Sequence, residues 1–215
     1  MVAFFGPYVS LAAPFRRYLG YVLIQLYLAS KSPRRRELLA QLSLVFECIE
    51  SSVDESVLDG ETPQDYVLRL ATAKAVSGQD NLATVPSHIP ILGSDTSVEI
   101  DNQILGKPRD EQEAVAMLAR LSGNSHMVYT AVAIKHNRDI KSVCCATKVF
   151  FAAMTASQIN SYVATGEPMD KAGAYGIQGL GGRYIKKIEG SYTSVVGLPL
   201  YETSMLLTEC GVFSD

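Results

Sequence analysis

The stretch LASKSPRRRELL, residues 28–39, places four positively charged side chains at the start of a predicted helix. They are Lys31, Arg34, Arg35 and Arg36. Ser32 can cap the free backbone amides of that helix, and Pro33 suits its first position. A helix N-terminus already carries roughly half a positive charge from the helix dipole, so further cations are unfavourable there unless an anion binds. The segment therefore predicts an anion-binding site.

The side chains around this helix start indicate that the anion is a phosphate or polyphosphate. The planar guanidinium group of arginine matches the geometry of phosphate oxygens, and serine hydroxyls can donate to the same oxygens. The predicted phosphate ligands are Ser30, Ser32, Arg34 and Arg35. A solvated basic surface is the alternative, and it accounts for Lys31 and Arg36 without any ligand.

A carboxylate and a cation that could act in phosphoryl chemistry lie in GSDTSVEIDNQILGKP, residues 93–108. Asp95 follows the predicted end of an apolar strand, and Lys107 lies on the far side of a predicted hairpin. Metal-assisted phosphoryl transfer requires such a pair close together. A turn or capping role is the alternative for Asp95. ILGKP lacks the first glycine and the serine or threonine of a phosphate loop, which excludes a P-loop NTPase.

A glycine-rich segment, GEPMDKAGAYGIQGLGG, covers residues 166–182. Its glycines allow the backbone to approach a ligand closely, and the amide of Gln178 offers a donor and an acceptor to a base edge. A glycine-rich surface loop is the alternative, with Asp170 and Lys171 as an exposed ion pair. His126 is predicted to be structural, since no Ser/His/Asp triad is indicated.

Alternating strands and helices must position these residues. Strands are predicted over 21–30, 45–51, 89–100, 126–136 and 141–154, helices over 33–42, 62–78, 109–123 and 155–166, and a strand, a loop and a closing helix within 182–211. Helix 62–78 is amphipathic, with Tyr66, Leu70 and Ala73 on one side. This order predicts an α/β fold with a mixed β-sheet and flanking helices.

Composition limits the possible partners and compartments. The 215 residues carry a net charge of −3, which argues against generic nucleic-acid binding. No apolar run approaches the roughly 18 residues of a membrane span, so we expect no membrane partner. The four cysteines show no CxxC spacing and are predicted to be reduced thiols of a cytoplasmic protein. Residues 1–22, interrupted by Pro7 and Pro14, are predicted to be a poorly ordered extension.

Together these motifs resemble the Maf family of nucleoside triphosphate pyrophosphatases. The resemblance covers about residues 24–212 and also includes VDES, LRLATAKA and GSYTSVVGLPLYET. It implies one domain, 23–215, in which two lobes of an α/β fold surround a nucleotide cleft. It also implies a homodimer and hydrolysis of a nucleoside triphosphate to the monophosphate and pyrophosphate, with Mg²⁺ or Mn²⁺ as cofactor.

The resemblance also implies roles for individual residues. Asp95 occupies the position of the family's proton acceptor, and Asp95 and Glu55 would bring in the metal ion and the water. Whether Asp95 is mainly a base or a metal ligand stays open. Lys74 and Lys107 fall on basic positions of the family's cleft and would bind substrate, as would Thr96.

Arg34, Thr96 and Gln178 are similar to the branch of the family that acts on dTTP and UTP, rather than the 7-methyl-GTP branch. A neutral Gln178 can pair with the O4 and N3–H edge of uracil or thymine, whereas a glutamate would suit a cationic methylated guanine. The alternative function is a nucleotide-binding regulator of cell division and septum formation that does not hydrolyse its ligand.

Overall fold

The computed structural model describes residues 23–80 and 88–213. The predicted extension, residues 1–22, lies outside the described residues. All four cysteines lie inside them and form no disulfide there.

Seven strands form one mixed sheet in the described part of the chain. They are β1 (Leu26–Ala29), β2 (Phe46–Ile49), β3 (Ile91–Ile100), β4 (Gln103–Leu105), β5 (Ser125–His136), β6 (Asp139–Phe151) and β7 (Ile185–Glu189). The order is β2-β1-β3-β5-β6-β7, with β4 paired to β3. β1 runs parallel to β2 and β3, and the other pairs are antiparallel. The predicted mixed α/β fold is confirmed.

Helices flank this sheet. They are α1 (Pro33–Ala40), α2 (Pro63–Asp80), α3 (Glu111–Leu121), α4 (Ala156–Val163), α5 (Tyr192–Val196) and α6 (Leu200–Glu209). Ser32 caps α1 by accepting from the Arg35 amide, and Asp110 and Thr155 cap α3 and α4 in the same way. The predicted helix starts are therefore confirmed, whereas the short α5 lies in a segment that was predicted to be a loop.

Four apolar cores pack on the sheet in the described residues, and the two largest lie on different parts of it. One core joins α3 and α4 to the sheet through buried residues that include Val98, Leu118 and Ile159. The other joins α1 and α6 to β1, β3 and β5 and includes Leu39 and Leu207. Each core buries apolar surface from different helices, so side chains at the boundary between them can line a cleft.

Helix α2 lies unusually close to β3 because residue 93 has no side chain. A Cβ atom at Gly93 would overlap the carbonyl oxygen of Ala71 and lie 2.6 Å from the amide nitrogen of Ala75. Alternate side chains of a strand share one face, so Asp95 points to the same side as position 93. This contact brings Lys74 of α2 to Asp95 of β3.

Candidate active site

A cleft of about 620 Å³ contains all of the side chains that the sequence analysis predicted for a site. They are Ser30, Ser32, Arg34, Arg35, Glu55, Lys74, Asp95, Thr96, Lys107 and Gln178. Residues of both apolar cores also line it, including Val98 and Val196. The fold thus brings together groups that are as far apart in the chain as positions 30 and 178.

Two carboxylates in the cleft share one ammonium group. Lys74 Nζ lies 2.6 Å from Asp95 Oδ1 and 2.6 Å from Glu55 Oε1. The side chains of Lys74 and Asp95 are nearly buried, whereas half of the Glu55 side chain is exposed. Burial acts to raise the pKa of Glu55, but Lys74, Lys107 and Arg35 together outweigh it, and the pKa lies below its ordinary value. Glu55 is therefore an anion at neutral pH.

The sequence analysis predicted that Asp95 follows the end of a strand, and this prediction is wrong. β3 continues through it to Ile100, and Asp95 pairs with Ala131 of β5 in the middle of the sheet. The polar run SDTS looked like a break, but Asp95, Thr96 and Ser97 line the cleft, and the Ser94 hydroxyl donates to the Ala131 and Gly197 carbonyls inside the fold. Lys107 follows β4, which forms the predicted hairpin with β3, and its side chain is exposed at the cleft.

Arg35 joins three parts of the cleft. Its Nε donates to the Gly197 carbonyl at 2.8 Å, one terminal nitrogen lies 3.2 Å from Thr96 Oγ1, and the other lies 3.5 Å from Ser30 Oγ. Burial lowers the pKa of Arg35, although Asp95 acts in the opposite direction. The guanidinium group stays charged, because the ordinary pKa of arginine is far above neutral. Arg35 therefore presents a fixed cation at the start of α1.

Comparisons with known proteins show the family of this chain. The family model described as "Maf-like protein" matches residues 25–210. The chain belongs to the Maf family. It is similar to the dTTP/UTP pyrophosphatase of Methylobacillus flagellatus, with 51% identity over 191 residues, which are 88% of this chain and 94% of that protein.

Further relatives carry the same name. The dTTP/UTP pyrophosphatase of Pseudoalteromonas translucida is 54% identical over 181 residues, covering 84% of this chain and 94% of that protein. The dTTP/UTP pyrophosphatase of Escherichia coli O157:H7 is 50% identical over 186 residues, covering 86% of this chain and 93% of that protein.

Arg34 links the start of α1 in this Maf-family chain to the glycine-rich segment. Its guanidinium group donates to Asp170 Oδ2 at 3.0 Å, and Lys171 Nζ lies 2.6 Å from Asp170 Oδ1. Burial acts to raise the pKa of Asp170, but the two cations lower it below its ordinary value. Asp170 and Lys171 are thus a pair, as the surface-loop alternative supposed, but Arg34 also takes part.

The two carboxylates of the cleft suit a divalent metal ion. Mg²⁺ at phosphoryl-transfer sites is commonly bound by one or two carboxylates together with substrate phosphates. Asp95 and Glu55 both approach the nitrogen of Lys74, so their oxygens can converge on one cation. Within residues 23–80 and 88–213, no cluster of three or more His, Cys, Asp and Glu side chains could hold a metal ion.

Sequence reasoning missed two residues that shape the cleft. Tyr66 was assigned to the apolar side of its helix, but it lines the cleft and its hydroxyl donates to the Glu55 carbonyl at 2.9 Å. Burial, followed by Asp95 and Glu55, raises the pKa of Tyr66 to about 12. Glu167 hydrogen-bonds the backbone of the glycine-rich segment. The motif GEPMD marked the segment but carried no sign of that contact.

His126 lies outside the cleft lining and contacts a residue that belongs to it. Its Nε2 is 2.8 Å from the hydroxyl of Tyr175, and its ring packs against Phe151 and Tyr175. Burial lowers the pKa of His126 to about 4. The ring is therefore neutral at physiological pH and supports the wall of the cleft.

None of the helices in the described residues is long and apolar enough to cross a membrane.

Proposed function

We propose that this chain hydrolyses dTTP and UTP to the monophosphate and pyrophosphate with the help of a divalent metal ion. The proposal rests on one arrangement in the cleft. Asp95, Lys74 and Glu55 lie together there, and the basic start of α1 lines the same cleft. The names of relatives with about 50% identity support the same substrates. In the reaction, water adds its hydroxyl to phosphorus, the α–β anhydride bond breaks, and pyrophosphate leaves.

The phosphate chain would lie against the start of α1. Ser30, Ser32 and Arg34 offer donors there, and Arg35 adds a cation that is already held in place by Thr96 and Gly197. Preorganised cations stabilise the charge that develops on the phosphate oxygens without a reorganisation cost during the reaction. Lys107 would approach the same oxygens from the other side of the cleft.

Asp95 is the group we propose to take the proton from the attacking water or to orient that water through the metal ion. Asp95 and Glu55 would hold the ion, which supplies Lewis-acid polarisation of the phosphate oxygens when bound. Lys74 keeps both carboxylates close together, so they are ready for either role.

The base would be recognised by Gln178, at the exposed side of the cleft, with Arg34 and Thr96 contributing to the preference for pyrimidines. The hydroxyl of Thr96 accepts from both Arg35 and Thr130, so Thr96 would act by fixing the position of Arg35.

The cellular setting also rests on expectation. A cytoplasmic location is proposed from the cysteine spacing, and a homodimer is proposed from the resemblance to the family. The alternative of a nucleotide-binding regulator without turnover is not favoured by the names of the relatives, which describe an enzyme.

The experiment that tests the proposal is pyrophosphate release from dTTP, UTP, CTP, GTP and 7-methyl-GTP, with Mg²⁺ or Mn²⁺ and with a chelator. We expect metal-dependent turnover of dTTP and UTP. The Asp95→Asn variant should bind nucleotide but lose at least about 100-fold in kcat, the typical contribution of acid–base catalysis. Near-normal pyrophosphate release by a folded Asp95→Asn variant would contradict the proposed role, and binding without any turnover would favour the regulator.

The base preference is tested by Gln178→Glu. A carboxylate cannot donate to O4 of uracil and attracts a cationic base, so turnover of dTTP and UTP should fall relative to 7-methyl-GTP. An unchanged preference among these three nucleotides would show that Gln178 does not read the base.

A further inference from the structure

One carboxylate holds the part of the glycine-rich segment that carries Gln178. Glu167 Oε2 accepts from the Leu180 amide at 2.8 Å, and Glu167 Oε1 accepts from the Gly181 amide at 3.0 Å. Burial acts to raise the pKa of Glu167, but the hydrogen bonds that it accepts lower the pKa below its ordinary value. Glu167 is therefore an anion that binds two consecutive backbone amides just after Gln178.

A buried tyrosine extends this contact to the other side of Gln178. The Tyr162 hydroxyl donates to Glu167 Oε1 at 2.7 Å and accepts from the Gly176 amide at 3.2 Å. Tyr162 itself lies in the apolar core with α3 and α4. Residues 176–181 are thus held at both ends by hydrogen bonds that converge on Glu167, with Gln178 between the two attachment points.

The segment passes close to Glu167 at a glycine. A Cβ atom at position 179, the residue after Gln178, would lie 2.6 Å from Glu167 Cδ and would displace the carboxylate from its position. The absence of a side chain at Gly179 therefore permits this approach. Lys171 adds a contact, because its Nζ donates to the Glu167 carbonyl at 2.5 Å.

The short turn that contains Glu167 also contacts the phosphate end of the cleft. Glu167 and Asp170 both lie in the 3₁₀ turn Glu167–Asp170, and Asp170 accepts from Arg34 of α1. One turn thus supports the residue proposed to read the base and one residue proposed to bind phosphate. A rigid support of this kind lowers the entropy that a binding loop loses when its ligand binds.

We propose that Glu167 is a positioning residue for base recognition, which places Gln178 at the nucleobase by clamping residues 176–181. This inference rests on the proposed function, because it takes Gln178 to be the base-reading side chain. It assigns to the Glu167 carboxylate an effect on the base and none on the phosphates. Within the described residues, the hydrogen bonds of this carboxylate come from the Leu180 and Gly181 amides and the Tyr162 hydroxyl, and none comes from Arg34.

Glu167→Gln is the direct test, because it keeps the shape of the side chain and removes its charge. The groups that donate to the Glu167 carboxylate all require an acceptor, but only one of the two terminal groups of glutamine is an acceptor oxygen. At least one hydrogen bond is therefore lost. The matched control is Glu209→Gln, which removes a carboxylate from an exposed ion pair with Lys141, outside the cleft.

Binding is measured by calorimetry with two probes. One is a UTP analogue with a methylene group in place of the α–β bridging oxygen, and the other is inorganic triphosphate, which has no base. We expect Glu167→Gln to weaken binding of the UTP analogue about tenfold, the scale of one lost hydrogen bond, and to leave triphosphate binding within about twofold. Equal weakening of both probes, or of neither, would overturn the proposal.

A coupled variant tests whether Glu167 acts through Gln178. In a Gln178→Ala background, Glu167→Gln should have no further effect on the UTP analogue, because the base contact is already absent. An additive, tenfold loss would overturn the proposal. Failure of the proposed function looks different: the wild type would release no pyrophosphate from dTTP or UTP, whatever the binding results.

Tyr162→Phe provides a second variant in case Glu167→Gln folds poorly. It keeps the ring in the core and removes the hydroxyl that links Gly176 to Glu167. We expect the same selective loss for the UTP analogue and faster amide hydrogen exchange at residues 176–181. Unchanged exchange and unchanged binding in this variant would refute the clamp.

Discussion

Acidification should destabilise this protein through His126 before its carboxylates are protonated. The ring is 3% exposed, and its Nδ1 atom has no hydrogen-bond partner within the described residues. A protonated ring would need an acceptor at that atom, so the folded state resists protonation. The unfolded chain does not resist protonation. Between the pKa of His126 in the folded state and its pKa in the unfolded state, the unfolded state binds more protons, and the free energy of unfolding therefore falls as pH falls.

The magnitude follows from the two pKa values. Burial lowers the pKa of His126 from 6.5 to about 4, and this difference corresponds to about 3 kcal/mol of unfolding free energy when fully expressed. The contribution is complete above the unfolded value and is lost as pH falls towards the folded value. At pH 5 the loss is about 2 kcal/mol relative to neutral pH, while most carboxylates are still ionised.

The assay is urea unfolding of the wild type and of His126→Gln between pH 5 and 7.5. Glutamine has a similar volume, can still hydrogen-bond the Tyr175 hydroxyl and does not titrate. We expect the wild type to lose about 2 kcal/mol across this range and the variant to lose much less. His136→Gln, on the same strand but less buried, is the control and should keep the wild-type pH dependence.

The two proteins are compared by how the free energy of unfolding changes with pH. This comparison is independent of any uniform change in stability that the substitution causes. A His126→Gln variant with the same pH dependence as the wild type would refute the argument. It would show that the buried ring is not the group that takes up the proton on unfolding.

Two further predictions concern the positioning of the site. Gly93→Ala should lower the free energy of unfolding by about 1 to 3 kcal/mol or more and reduce turnover, because α2 must move away from β3 to relieve the overlap with Ala71. Gly106→Ala, where a Cβ would meet nothing within 4 Å, should cost little stability, and equal melting temperatures for both variants would contradict this prediction. Arg35→Lys should reduce kcat/KM for dTTP about tenfold or more, since one ammonium group cannot reach all three acceptors. The matched change Arg36→Lys, on the exposed side of α1, should have little effect, and similar losses from both would indicate a general charge effect.

The elements with strong local signals were predicted correctly. The Ser-Pro start of α1, the aspartate cap of α3 and the long alternating hairpin of β5 and β6 follow from capping and periodicity within a few neighbouring residues. The short α5 was missed because its five residues are β-branched and polar, and tertiary contacts such as the hydrogen bond from Thr130 to the Ser194 carbonyl hold it.

The predicted position of Asp95 at a strand end was wrong for a related reason. Local polarity suggested a break, but β5 pairs with β3 without interruption from Ile91 to Glu99 and keeps its backbone extended through the polar residues. Polar side chains in the middle of a strand are costly unless the fold gives them partners, and here Lys74 and Thr130 do so. Such partners come from distant parts of the chain and leave no trace in the local pattern.

By itself, the sequence determined the fold class, the basic helix start and the set of charged residues that suit phosphate chemistry, because residue types and short spacings encode these. Only the tertiary structure decided that Lys74 bridges Asp95 and Glu55, that Gly93 permits this approach, and that Glu167 holds the segment of Gln178. These contacts depend on how separate elements pack, and packing is set by shape and burial across the whole chain.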